Sequence, residues 1–188
     1  MIYLTFDDGP IPGLTEWVLD ELKLYNAKAT FFCVGDNVHR NNGIFHRVKS
    51  EGHTVANHTM YHLKGFQNTT KDYLVEVEAC EQLTQSRLFR PPYGQLKRSQ
   101  YRALIEAGYH IVFWDVISYD YEKIPEQECL KNVMDHTRNG SIVLFHDNKK
   151  AEKNLKYALP VFLKHFSEQG YEFRGLASTG SAVLSNDR

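Results

Sequence analysis

Short apolar runs alternate with longer stretches of helical period along this chain, and that alternation restricts the fold more than any single motif. The runs Ile2–Phe6, Ala29–Val34, Thr54–Asn57, Leu88–Arg90, His110–Trp114, Ile142–Phe145 and Glu172–Arg174 are short, and several are almost continuously apolar. Strands buried on both faces have that pattern. Between them, Leu14, Val18, Leu22 and Tyr25 recur at helical spacing, as do Tyr73, Val77 and Cys80, and later Leu155, Leu159, Phe162 and Phe166. Gly52, Gly108, Gly140 and Gly170 each stand just before a strand, where a helix or its loop must end. About seven β-then-α units predict an α/β fold, with a parallel sheet inside and helices outside. Seven units within 188 residues fit a barrel better than an open doubly wound sheet. Residues 1–188 are expected to form a single domain.

Bulk properties exclude several partners. The formal net charge is −1, which points to no nucleic acid. No run approaches the ~20 apolar residues of a membrane span. The basic stretch Lys149, Lys150, Lys153, Lys156 reads as the solvated face of a helix rather than a polyanion site. Cys33, Cys80 and Cys129 are scattered and odd in number; they form no CxxC pair and read as buried free thiols. Strand-like sequence begins at Ile2, with no charged-then-apolar leader before it, so the residues do not give localisation.

In barrels of this type, chemistry gathers at the C-terminal ends of the strands. Five proposed strand ends carry reactive groups. The first ends in Asp7-Asp8, followed at once by Gly9 and Pro10. The third runs into ANHTMYH, placing His58 and His62 four apart; on a helix both rings would share one face and bind one metal. A carboxylate from another strand end would complete a two-His, one-Asp set with an open position for water. The fourth ends in RPPYG, a rigid turn in which Arg90 can pair with a carboxylate and the Tyr93 N–H can face an oxyanion. The fifth ends in FWDVISYDY, carrying Asp115 and Asp120, and the sixth in IVLFHD, with His146 at its tip. Together these are the groups a metal-dependent hydrolase needs.

TFDDGP, HTMYH, RPPYG and LFH, in that order from Thr5 to His146, resemble the polysaccharide deacetylases. The resemblance implies a distorted (β/α) barrel. It also implies removal of acetyl from N-acetylglucosamine units of chitin, chitooligosaccharides or peptidoglycan. Carried over, Asp7 is the catalytic base and Arg90 its partner. Asp8, His58 and His62 hold one divalent ion, usually zinc, with cobalt or nickel also suited. Tyr93 offers its backbone N–H, and Leu144 lines the acetyl slot, with Trp114 and Tyr121 also in the substrate site. His146 is the general acid and Asp120 its tuning carboxylate. The partner implied is an acetylated amino-sugar oligomer or polymer, with no protein partner expected, and the family usually acts outside the cytoplasm. The fourth motif departs from the family, with Ile117 where an Asp is common and Tyr121 where Trp is usual. That leaves an O-acetyl esterase acting on xylan, or another amidase, as the rival reading. It also leaves Asp115 as an alternative partner for His146. A catalytically dead sugar-binding module would lack a base, ligand or acid, and none is missing.

Overall fold

The structure, a computed structural model, describes residues 1–177. Seven parallel strands make one sheet: β1 (Tyr3–Asp7), β2 (Ala29–Cys33), β3 (Thr54–Asn57), β4 (Leu88–Phe89), β5 (His110–Ile111), β6 (Val116–Ile117) and β7 (Ile142–His146). Their order is β5-β4-β3-β2-β1-β7-β6, a curled, incompletely closed barrel whose two edges, β5 and β6, are consecutive in sequence. Helices α1 (Leu14–Leu24), α2 (Gly35–Arg40), α3 (Asn42–Ser50), α4 (Thr70–Thr84), α5 (Arg98–Glu106), α6 (Glu126–Met134) and α7 (Glu152–Glu168) supply the connections.

The seventh strand is not the one expected. Glu172–Arg174 forms only an isolated bridge, Phe173 to Ile2. Beyond it the chain turns inward: the Leu176 N–H donates to Thr30 Oγ1 at 2.8 Å, and Thr54 Oγ1 donates to the Leu176 carbonyl at 2.9 Å. Leu176 then packs with Phe32, Ala56 and Leu88 inside the barrel, so this segment plugs the barrel rather than extending the sheet. The seventh strand is β6, two residues long and separated from β5 by only four.

Alternation along β1 decides which side chains can reach the site. Ile2, Leu4 and Phe6 lie in the large core shared with α1 and α7, while Tyr3 packs against the inner cluster. With a period of two, Thr5 and Asp7 share the inward face with Tyr3. Register does the rest. Asp7 is the ladder partner of both Phe32 and His146, and Ile117 is the partner of Leu144. The ends of β1, β7 and β6 are therefore side by side. The three cysteines are buried free thiols, as expected.

Candidate active site

A cleft of about 420 Å³ opens at the C-terminal ends of the strands, lined among others by Asp7, Asp8, His58, His62, Tyr93, Trp114, Tyr121, Leu144 and His146. Its floor is an ion pair. Arg90 is completely buried, which is tolerable only for a charge that is paired and hydrogen-bonded. Its Nη1 donates to Asp7 Oδ1 and to Thr5 Oγ1, both at 2.8 Å. Its Nε and Nη2 donate to the carbonyls of Val112 and Phe113 at 3.2 and 3.1 Å. Its face lies 4.0 Å from the centre of the Phe32 ring. Asp7 thus has one oxygen fixed, and the other, Oδ2, stands 3.8 Å from His58 Nε2.

Asp8, His58 and His62 each present a ligand atom, all within 4.8 Å of one another. Asp8 Oδ1 lies 3.5 Å from His58 Nε2 and 3.0 Å from His62 Nε2, yet it is buried without a hydrogen-bond partner. A buried carboxylate oxygen left in that state costs free energy, and a cation would satisfy it. His58 Nδ1 sits 2.8 Å from the Arg90 carbonyl. That contact assigns the ring proton to Nδ1 and leaves the Nε2 lone pair for a metal. The other Asp8 oxygen is held by Asn148, whose Nδ2 donates to Oδ2 at 2.5 Å. Burial alone raises the Asp8 carboxyl, but His58 and His62 outweigh it and hold it well below the usual carboxylate range. The residues fit a divalent ion with two imidazoles and one carboxylate, a donor set that suits zinc, cobalt or nickel.

The histidine pair reaches this arrangement without a helix, which corrects the sequence expectation. The chain after β3 is irregular, with Thr59 at φ 64° and His62 at φ 55°. Those left-handed residues, rather than helical period, bring the ring centroids to 5.1 Å. Side chains fix the loop. Asn57 Oδ1 accepts the Thr59 N–H at 3.0 Å, and Thr59 Oγ1 accepts the Leu63 N–H at 3.0 Å.

Across the cleft, His146 Nδ1 is 2.8 Å from Asp120 Oδ1, and Asp120 Oδ2 accepts the His146 backbone N–H at 2.8 Å. Burial alone lowers the His146 imidazole, but Asp120, with smaller contributions from Asp8 and Asp7, pushes it up to about 9. Asp115 plays no part. Its carboxylate accepts the Ser141 hydroxyl and the Ile142 N–H at the opposite end of β7, so it cannot replace Asp120. Ile117, the departure from the family pattern, lines the cleft, and Tyr121 packs edge-on to His146 at 4.7 Å between centroids. Pro92–Gly94 is a 3₁₀ turn in which the N–H groups of Gly94 and Gln95 are taken by the carbonyls of Pro91 and Pro92. The Tyr93 N–H lies outside that ladder, and Tyr93 itself is at φ 59°.

Two residues of the site are absent from the sequence reading. Asp147 is buried and clamps the loop after β1. Its Oδ2 accepts the Thr15 hydroxyl at 2.6 Å and its Oδ1 the Gly9 N–H at 2.9 Å. A Cβ on Gly9 would stand 1.9 Å from Asp147 Oδ2, so glycine is required there. Burial pushes the Asp147 carboxyl up to about 8, against those two hydrogen bonds. Asn148 is the second, through Asp8. The signal for Asp147 was available, since it is an acid one residue beyond a buried apolar run, close to where Asp7-Asp8 stand on theirs.

The family model described as polysaccharide deacetylase matches residues 1–112. A peptidoglycan-N-acetylglucosamine deacetylase of Bacillus cereus is 34% identical over 182 residues, covering 92% of this chain and 84% of that protein. A chitooligosaccharide deacetylase of Bradyrhizobium sp. is 36% identical over 154 residues, covering 78% of this chain and 70% of that protein. Among solved structures, a family 4 carbohydrate esterase from Streptomyces lividans in complex with acetate superposes with a TM-score of 0.83 at 28% identity. It covers 93% of this chain and 91% of that one. Other peptidoglycan deacetylases it matches are longer, and the chain spans 55% of one and 37% of another.

Proposed function

This chain belongs to the polysaccharide deacetylase family, and on that premise we propose that it hydrolyses the N-acetyl group of N-acetylglucosamine units in peptidoglycan, chitin or chitooligosaccharides, releasing acetate. The observation that carries the reading is the buried, unpartnered Asp8 Oδ1 facing two imidazole nitrogens, one residue from the arginine-paired Asp7. Asp8, His58 and His62 would hold one divalent ion, zinc by preference. When bound, such an ion polarises a carbonyl and lowers the pKa of water.

The remaining roles belong to the chain. Asp7 takes the proton of the attacking water, with Arg90 fixing one carboxylate oxygen so that the other faces the reacting atoms. The Tyr93 N–H meets the developing oxyanion. His146, protonated by virtue of Asp120, gives a proton to the leaving amine, which departs poorly as an anion. Leu144 forms an apolar wall for the acetyl methyl, and Trp114 and Tyr121 offer aromatic faces to the sugar.

Acetate release from N-acetylchitooligosaccharides, peptidoglycan glycan and acetylxylan, measured with and without chelator and after adding back zinc, cobalt or nickel, tests this. Metal-dependent release from the amide substrates is expected. Release from acetylxylan alone would favour the esterase reading, and chelator-insensitive release from the amides would remove the metal from the reaction.

A further inference from the structure

The lysine run after β7 divides into two pairs, and only one pair behaves as a solvated helix face. Lys153 reaches Glu126 at 3.0 Å and Lys156 reaches Glu152 at 2.6 Å. Lys149 and Lys150 precede α7, and both line the cleft. Among the described residues neither has a carboxylate within 4.0 Å. Lys64, on the loop carrying the histidines, stands 4.8 Å over the Tyr93 ring, also without an acidic partner among the described residues.

The carboxylates of the cleft cannot serve these lysines. Asp7 is paired with Arg90 and Asp8 faces the two imidazoles. The turn bearing Lys149 and Lys150 is anchored to the site itself. Asn148 Oδ1 accepts the N–H groups of Lys150 and Ala151 at 2.8 and 3.0 Å, and its Nδ2 donates to Asp8. The cleft therefore has one cationic edge held at a fixed offset from the metal ligands. An ammonium there is a compact point charge, suited to a carboxylate on the bound glycan.

We propose that Lys149 and Lys150 select an acidic amino-sugar glycan, reading a carboxylate on the sugar next to the one being deacetylated. The lactyl carboxylate of muramic acid has this chemistry in glycan stripped of its stem peptides, where that carboxyl is free rather than amide-linked, and chitin has none. The inference rests on the deacetylase reading and narrows its substrate.

The test compares wild type with a Lys149→Ala/Lys150→Ala double variant on three tetrasaccharides. One is the alternating N-acetylglucosamine–N-acetylmuramic acid tetrasaccharide. The second is the same molecule with its lactyl carboxyls converted to amides, and the third is N-acetylchitotetraose. The double variant is expected to lose about 3- to 10-fold in kcat/KM on the acidic glycan, mainly through KM, as two partly screened ion pairs would give. It should change less than two-fold on the neutral substrates, and the acidic preference should shrink at high salt. Equal loss on all three, or loss on none, would overturn the proposal. Binding of the acidic and amidated tetrasaccharides, followed by calorimetry on both proteins, reads the lysines independently of turnover. No acetate from any substrate would instead remove the deacetylase reading, while the calorimetry would still decide for or against the lysines.

Discussion

Where the chain enters β3, β5, β7 and the Phe173 bridge, it turns through Gly52, Gly108, Gly140 and Gly170, all at positive φ. Where it leaves β1, β3, β4 and β6, it turns through Asp8, Thr59, His62, Tyr93 and Tyr119, also at positive φ. Glycine occupies that region at little cost. Other residues pay roughly 1–3 kcal/mol each, and a β-branched residue such as Thr59 is a clear outlier there. At the entry end nothing chemical is asked of the turn, and glycine serves at four of these turns; Asn26 and Gln85, ahead of β2 and β4, take positive φ without glycine. At the exit end, two of the left-handed residues, Asp8 and His62, belong to the candidate metal-ligand set, and one, Tyr93, carries the N–H proposed to meet the oxyanion. The strain is held by side-chain bonds: Asn57 on Thr59, Asn37 on the Asp8 carbonyl at 2.8 Å, and Asn148 on the Asp8 carboxylate.

That contrast can be broken from either end. The largest effect is expected at the exit end. Asp7→Asn should lower turnover by roughly 10²–10⁴-fold while metal content, read by elemental analysis, stays at the wild-type level. Near-normal turnover would remove Asp7 as the base. Asp120→Asn addresses the acid. In the metal-free protein an NMR titration should place the His146 imidazole near 9. Without Asp120, burial remains to lower it, and the midpoint should fall by more than two units. A bound cation lowers both midpoints without changing their order. The sign for stability follows: a raised histidine pKa stabilises the fold fully below about 6.5, and the contribution is lost as pH rises through about 9. An unmoved titration in the variant would separate Asp120 from His146.

Asn148→Ala should weaken zinc affinity about 10–100-fold, as loss of a ligand-orienting partner does. Calorimetry on the refolded, metal-stripped protein reads it directly, and unchanged affinity would show that Asp8 needs no such support. The smallest effect belongs to the entry end. A Cβ on Gly140 would meet nothing within 4 Å, so Gly140→Ala carries backbone strain alone, about 1–2 kcal/mol in a denaturant titration. Activity per folded molecule should be unchanged. Lost activity with intact stability would mean that the two ends are not separate in the way the φ angles suggest.

Much of this was legible because buried parallel strands leave a strong trace. β1, β2, β3 and β7 coincide with apolar runs to within a residue or two. β6 left no such trace. It is two residues long and follows β5 without a helix between, so Val116 and Ile117 fell just past the expected strand His110–Trp114 and read as the segment that follows it. Glu172–Arg174 had the composition of a strand, but Leu176 found its burial inside the barrel and drew the segment inward. The candidate ligand set was legible as a grouping of side chains and not as conformation. Spacing identified His58 and His62, while the loop that joins them depends on Asn57 and Thr59 contacts that no periodicity records. Lys149 and Lys150 were hidden for a related reason: sequence merges them with Lys153 and Lys156, and only the start of α7 at Glu152 divides the four.

Arg90 has one further consequence. Its flat fork grips the end of β1 on one edge and the Val112–Phe113 peptide carbonyls on the other, spanning the seam where no ladder joins β5 to β6. A lysine would preserve the charge beside Asp7 but has no plane with which to hold both sides at once. Asp7 and the wall bearing Trp114 would then drift apart, and a protein with every charge in place would have lost its alignment.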